Sequence, residues 1–242
     1  DIHLVVGYKG NRVRSHFGPT YREVPLTYHT QTNQLGSGHA LLQARDGVDE
    51  SFLLVNGDQV IDARIVEKVS AAHSTAATLS VVEGSQAGDY GAVKMPVLDG
   101  DEITTFAEQP TGGEFRLFNA GVYALTEKIF EILEKLSADR GELPITDAIQ
   151  ELVDNGSYTV TGVRTEHCGM DATHPWDLLS LARELLSRGW VAPQATDDDC
   201  YVAETANIHP DATLVGPIVV DSDAVVEAGA VVGPYAAIGE SV

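Results

Sequence analysis

Three short segments of this chain hold residue types suited to work on a phosphorylated ligand. Phe52-Leu53-Leu54-Val55-Asn56-Gly57-Asp58 reads as a strand that ends in Gly-Asp. In open α/β sheets ligands bind beyond the carboxyl ends of the strands, so Asp58 would project into that crevice. A single carboxylate there suits Mg2+, which binds through one or two carboxylates plus substrate phosphates. A turn aspartate capping the next helix is an equal reading of the same residue. Asp171 follows Cys168-Gly169-Met170 and stands just before a helix, as a cap or as a second carboxylate on the ion. Gln31-Thr32-Asn33-Gln34-Leu35-Gly36-Ser37-Gly38-His39-Ala40 is a glycine-rich loop that opens a helix. Glycines let backbone approach a flat ligand closely, and a glutamine amide pairs a donor and an acceptor with a base edge. Taken alone, the segment also reads as a plain loop.

A second series is polar or glycine-bearing at strand ends: Gly88-Asp89-Tyr90-Gly91-Ala92-Val93, Phe106-Ala107-Glu108-Gln109-Pro110 and Asn119-Ala120-Gly121-Val122-Tyr123. Glu108 and Asn119 are able to hydrogen-bond sugar hydroxyls; each singly also has a structural reading. No Ser/His/Asp or Cys/His arrangement is visible, so covalent nucleophilic catalysis has no candidate. The eight histidines show no H-E-x-x-H spacing, and Cys168 and Cys200 are too few for a disulfide framework or a four-cysteine zinc site.

Charge narrows the partners. Fifteen Lys+Arg against thirty-six Asp+Glu leave a net charge of −21, which disfavours nucleic acid and anionic membranes. The acid excess is spread along the chain and reads as a hydrated surface suited to a high-salt cytosol. No apolar run is long enough to span a bilayer, and Asp1-Ile2-His3-Leu4-Val5-Val6 lacks a signal-peptide start, so a cytoplasmic location is expected.

The elements that must position these residues alternate. Strand-like runs are Leu4 to Tyr8, Phe52 to Val55, Ala77 to Val82, Gly121 to Ala124 and Tyr158 to Val163. Helix-like runs start after Asp62, span Glu127 to Leu136, follow a Thr146 cap as far as Asn155-Gly156, and span Trp176 to Leu186. Alternation of this kind predicts an α/β domain with a mostly parallel sheet, covering residues 1–190. A polar stretch, 191–205, predicts a linker.

From 206 the period changes. Ile208, Leu214, Val220, Val226, Val232 and Ile238 recur every six residues, and Ala212, Ile218, Ala224, Ala230, Ala236 and Val242 follow each by four. Neither a helix nor a simple strand has period six, but a hexapeptide solenoid does. The chain starts abruptly on a strand and the array stops without a cap, which predicts a piece of a longer protein.

These motifs, in this order, resemble the sugar-1-phosphate nucleotidylyltransferases, in particular those with a left-handed β-helix tail, such as UDP-N-acetylglucosamine pyrophosphorylases. The likeness covers nearly the whole chain. It implies a Rossmann-like nucleotidyltransferase domain with a mostly parallel mixed sheet, then a left-handed parallel β-helix. It implies Gln31, Gly36 and Ser37 on the nucleotide, Asp58 and Asp171 as catalytic residues on Mg2+, and Gly91, Glu108 and Asn119 on the sugar. The reaction implied is attack of a sugar-1-phosphate on a nucleoside triphosphate, with UTP and N-acetylglucosamine-1-phosphate ahead of a dTTP-dependent glucose-1-phosphate enzyme. A guanylyltransferase, an acyltransferase activity of the intact parent and a regulatory homologue are the remaining alternatives. Tails of this kind imply a homotrimer. The sequence departs from the family at three points: a phosphate-binding signature loop is missing before Asp1, Gln109 stands where lysine is usual, and Gly169 stands where tryptophan is common.

Overall fold

A computed structural model describes residues 1–84, 94–108, 116–137, 141–165, 170–172, 174–189 and 199–242. It divides into two compact units, Asp1–Gly169 and Met170–Val242. Gly91, Cys168, Gly169, Gln109 and the first part of the expected linker lie outside the described residues, and of Glu108 and Asp171 only the backbone is described.

The first unit begins with β1 (Ile2–Val6), α1 (Gly10–Phe17), β2 (Thr20–Tyr21) and β3 (Val24–Thr30). β3 lies between β1, to which it is parallel, and β2, to which it is antiparallel. Next come α2 (Ser37–Leu42), β4 (Ser51–Val55), β5 (Gln59–Val60), α3 (Ala63–Ala72) and β6 (Ala77–Gly84). They are followed by β7 (Lys94–Asp99), β8 (Glu102–Glu108), β9 (Arg116–Thr126), α4 (Lys128–Ser137), α5 (Ile145–Asn155) and β10 (Val160–Thr165).

Six of these strands form one sheet in the order β4-β9-β6-β10-β8-β7. Its order corrects the expectation of a mostly parallel sheet. Only β6 with β10 pairs in parallel; β9 runs antiparallel to both β4 and β6, and β8 runs antiparallel to β7 and β10. The β4–α3–β6 crossover does keep its two strands parallel to each other, as strand–helix alternation requires. A later strand, β9, slips between them, and no local pattern in the sequence announces that insertion.

β9 also divides the core. Successive strand residues face opposite sides, so Tyr123 and Leu125 join the large cluster with α4 and α5, through Ile129, Leu133, Ile149 and Leu152. Val122 and Ala124 join the smaller cluster with Ile65 and Val69 of α3. Both faces of the sheet are therefore covered by helices. Each such aliphatic contributes about 1.5–3 kcal/mol when fully buried.

Helix ends follow local chemistry in part. Asp62 caps α3, accepting from the Arg64 amide at 2.9 Å. Gly156 ends α5 in the left-handed region. Thr146 does not cap α5: cap and helix start two residues earlier, at an extended Pro144 and Ile145, and the first amide, Ile145 N–H, is taken by the Ser37 hydroxyl.

The second unit holds β11 (Met170–Asp171), α6 (Asp177–Ser187) and seven short strands: β12 (Cys200–Val202), β13 (Asn207–Ile208), β14 (Thr213–Leu214), β15 (Ile218–Val220), β16 (Val225–Val226), β17 (Val231–Val232) and β18 (Ala236–Ile238). These seven form three small parallel sheets, β12-β15-β18, β13-β16 and β14-β17. Cys200 stands opposite Ile218 and Ile218 opposite Ala236, so the register advances by 18 residues, or three hexapeptides. The period-six aliphatics and the residues four beyond them, except the exposed Val242, fall into one cluster around buried Ile218, Val220, Ala224 and Val226. Cys200 and Val202 belong to the same cluster, so the stacked register reaches into the polar stretch before residue 206.

Candidate active site

Two clusters gather the described candidates, and each is knotted at one backbone position. The first is the glycine-rich loop. Gln31 follows β3 directly and donates its backbone N–H to Val6 O at the end of β1, at 2.9 Å. Its side chain is 9% exposed and turned into the loop, where Nε2 donates to Gly36 O at 3.1 Å and lies 2.9 Å from His39 Nδ1. The loop then docks on Leu143. Leu143 N donates to Leu35 O at 2.7 Å, and Leu143 O accepts from Gly38 N at 2.8 Å and His39 N at 3.2 Å. Ser37 Oγ accepts from Ile145 N at 3.0 Å.

The glycines here have a protein neighbour. Gly36 has φ +96°, and a Cβ on it would stand 2.7 Å from Leu143 O. A Cβ on Gly38 would stand 2.6 Å from Leu133 Cδ2. Close approach is thus needed by the Leu143 backbone, whatever ligand the loop takes up. The first amides of α2 are already accepted by Leu143 O, so this helix end is capped from within.

The second cluster joins Asp58 to Asn119. Asn56, Gly57, Asp58 and Gln59 make a turn closed by Gln59 N donating to Asn56 O at 3.4 Å. Asp58 is exposed, and no described side chain or amide donates to its carboxylate. That uncommitted carboxylate fits a hydrated divalent cation, which needs one or two protein carboxylates and takes its other ligands from phosphates and water. Among the described residues there is no group of three or more His, Cys, Asp or Glu placed to hold a metal.

The turn rests on a bulge in β9. Across from it, the β6 register jumps from Leu79↔Tyr123 to Val81↔Asn119, so three residues of β9 face Ser80 alone. The fully buried Ser80 hydroxyl repairs the ladder, donating to Val122 O and accepting from Val122 N, both at 3.2 Å. Asn119 braces the bulge from the other side. Its Oδ1 accepts from Gly121 N at 3.0 Å and its Nδ2 donates to the Tyr123 hydroxyl. Among the described residues no further partner takes up the second amide hydrogen and second carbonyl lone pair of Asn119. Burial pushes the Tyr123 phenol above its ordinary range, and the Asn119 hydrogen bond offsets part of that rise. Gly121 O, in turn, accepts from Asn56 N at 3.4 Å.

Sequence reasoning named Gln31, Gly36, Ser37, Asp58 and Asn119, and the structure places the first three in the loop docked on Leu143, and brings Asn119 and the turn that carries Asp58 to Gly121. It missed Leu143, Ser80 and Gln59. Ser80 had a legible signal, the one serine in the β-branched and aliphatic run Ala77 to Val82. Leu143 had none, because its role is played by backbone atoms.

Residues 2–188 match the family model described as nucleotidyl transferase. The chain is 33% identical over 190 residues to the bifunctional protein GlmU of Methanococcus maripaludis, covering 77% of this chain and 44% of that protein. It is 32% identical over 179 residues to the UTP–glucose-1-phosphate uridylyltransferase AglF of Haloferax volcanii, covering 72% of each. Thus the chain spans less than half the length of the GlmU relative. Among solved structures, the inositol-1-phosphate CTP transferase of T. maritima superposes with a TM-score of 0.62 at 19% identity, over 76% of this chain and 75% of that one, which is a likeness of fold.

Proposed function

The chain belongs to the nucleotidyl transferase family, and from that premise we propose that it joins a nucleoside triphosphate to a sugar-1-phosphate. A phosphate oxygen of the sugar-1-phosphate attacks the α-phosphorus, the bond from that phosphorus to the bridging oxygen breaks, and pyrophosphate leaves. The reaction asks for positioning and charge neutralisation rather than a protein nucleophile, and the sequence offers no such nucleophile. Asp58 and Asp171 would hold Mg2+, which would supply that neutralisation. Gln31, Gly36 and Ser37 are assigned to the nucleotide and Gly91, Glu108 and Asn119 to the sugar phosphate. The observation that carries this reading is the Asp58 carboxylate, exposed and without a partner among the described residues, on a turn seated against the bulge that bears Asn119.

UTP with N-acetylglucosamine-1-phosphate is the substrate pair proposed first. The relative named UTP–glucose-1-phosphate uridylyltransferase supports a uridine nucleotide. dTTP with glucose-1-phosphate is the second reading, since thymine differs from uracil by one methyl group. The linker expected over 191–205 is cut back to the residues before Cys200, which already pairs with Ile218. Residues 1–190 are assigned to this chemistry and 206–242 to the start of a β-helix. Its hand is taken as left, and its role as trimerisation. The 18-residue register of the stacked strands supports three hexapeptides to a coil. Acid excess supports work in a high-salt cytoplasm, and among the described residues no helix is long and apolar enough to cross a membrane.

The test is pyrophosphate release at high salt with Mg2+. It crosses UTP, dTTP, GTP, ATP and CTP with glucose-1-phosphate, N-acetylglucosamine-1-phosphate and mannose-1-phosphate. Release above background with UTP and N-acetylglucosamine-1-phosphate, ahead of the other pairs, is the expected result. Silence across all pairs in folded protein would sink the reading.

A further inference from the structure

We propose that Gln59 is a positioning residue, which seats the Asp58 turn on Gly121 and so fixes the spacing between the Asp58 carboxylate and the Asn119 amide. The inference rests on the metal and sugar assignments of Asp58 and Asn119 made above.

Gly121 is shared by three groups. Its carbonyl accepts from Asn56 N, its N–H donates to Asn119 Oδ1, and its α-carbon lies under the Gln59 amide. A Cβ at 121 would stand 1.8 Å from Gln59 Oε1, 2.7 Å from Cδ and 2.9 Å from Nε2, so the whole amide occupies the space a side chain would need. Gly121 also has φ +77°, in the region that favours glycine.

The closing bond of this turn and its bond to Gly121 are both 3.4 Å, at the long end of the useful range. The contact of the Gln59 amide on Gly121 reinforces them. That contact carries a cost, because Gln59 Oε1 is buried without a hydrogen-bond partner. A buried carbonyl in this state destabilises the fold and calls for an explanation. Strain of this kind is tolerated where it fixes a functional geometry. Asp58 is the residue before Gln59, and Asn119 is tied to the very glycine the amide covers, so the seat connects both.

The experiment measures Mn2+ binding by electron paramagnetic resonance, together with KM for the sugar-1-phosphate, kcat and thermal stability. Gln59→Ala is expected to weaken Mn2+ binding and raise KM about tenfold, with kcat within threefold. Gln59→Met, which keeps the length and drops the amide, should restore both to within threefold if the seat is one of shape. Gly121→Ala should weaken Mn2+ binding by pushing the amide away. Adding Gln59→Ala to it should then recover part of that loss, a reversal of sign that a general stability role does not produce. Mn2+ affinity and KM unchanged in folded Gln59→Ala, or no recovery in the double variant, would overturn the proposal. Should Gln59→Ala fail to fold, Gln59→Ser with the same readouts decides. Asp58→Asn separates the two readings. If it binds Mn2+ as the unchanged chain does, the site assignment fails; if it loses Mn2+ and Gln59→Ala does not, only the role of Gln59 fails.

Discussion

Ser37 Oγ accepts the amide hydrogen of Ile145 across 108 residues of sequence. One hydroxyl at the start of α2 thus caps the start of α5, while Leu143 O, two residues before Ile145, caps α2 in return. Two helix N-termini close on one another, and the glycine-rich loop is the strip that lets them meet. The loop's shape is therefore set by α5 as much as by its own glycines.

From this follows a test of Ser37→Ala. It leaves an α5 amide without its acceptor, a loss of about 1 kcal/mol, in line with the removal of helix caps. Ser37→Thr keeps the hydroxyl and should recover most of that. Urea unfolding of the three proteins checks it. A loss in Ser37→Ala well below half of that figure would mean that Ile145 finds another acceptor. Nucleotide affinity, measured in parallel, should fall with Ser37→Ala, because the same residue holds the loop that carries Gln31 and Gly36.

Ser80 supports the other cluster, and its removal should act differently. Its hydroxyl serves both the N–H and the C=O of Val122, in a position with no solvent access. Ser80→Ala leaves both groups buried and unpaired, at a cost of about 1–3 kcal/mol for each group so exposed. Thermal unfolding should show a clear drop. KM for the sugar-1-phosphate should rise several-fold, since the bulge aims Asn119. A drop in stability with KM unchanged would detach the bulge from substrate binding.

These residues also show where the sequence was readable. Asp62 could be named as a cap because the cap is local: acceptor and amide are two residues apart. The hexapeptide register was readable because one period repeats, and each repeat meets its copy 18 residues on. The placement of β9 was not, since a strand drawn from after the β7–β8 hairpin lands between two earlier ones. Leu143 was not either, because a leucine carbonyl looks the same in every sequence. Asp58 and Asn119 stood out singly, by residue type. That Asn119 and the turn carrying Asp58 both meet Gly121 is a tertiary fact, and Gly121 reads in sequence as one more strand glycine.

A pH dependence is built into the first unit by His3 and His29. His3 Nδ1 lies 2.9 Å from His29 Nε2, the rings stack with centroids 5.2 Å apart, and a Cβ on Gly47 would touch both. Burial lowers the His29 pKa first, and the neighbouring His3 and Arg14 lower it further. The Gln43 backbone and Asp46 pull the other way without reversing the shift. In the unfolded chain His29 titrates near 6.5, and in the folded one below that. As pH falls through 6.5, the unfolded state therefore takes up a proton before the folded state does. The stability tied to His29 is complete above pH 6.5, declines below it, and levels off once folded His29 is protonated as well. His29→Gln keeps a hydrogen-bonding side chain and removes this titration. Urea midpoints collected from pH 7.5 down to 5 should fall less steeply in His29→Gln than in the unchanged chain. His73, lowered by burial alone, acts in the same direction and leaves a residual slope in both. Equal slopes in the two proteins would mean that His29 keeps its unfolded pKa on folding.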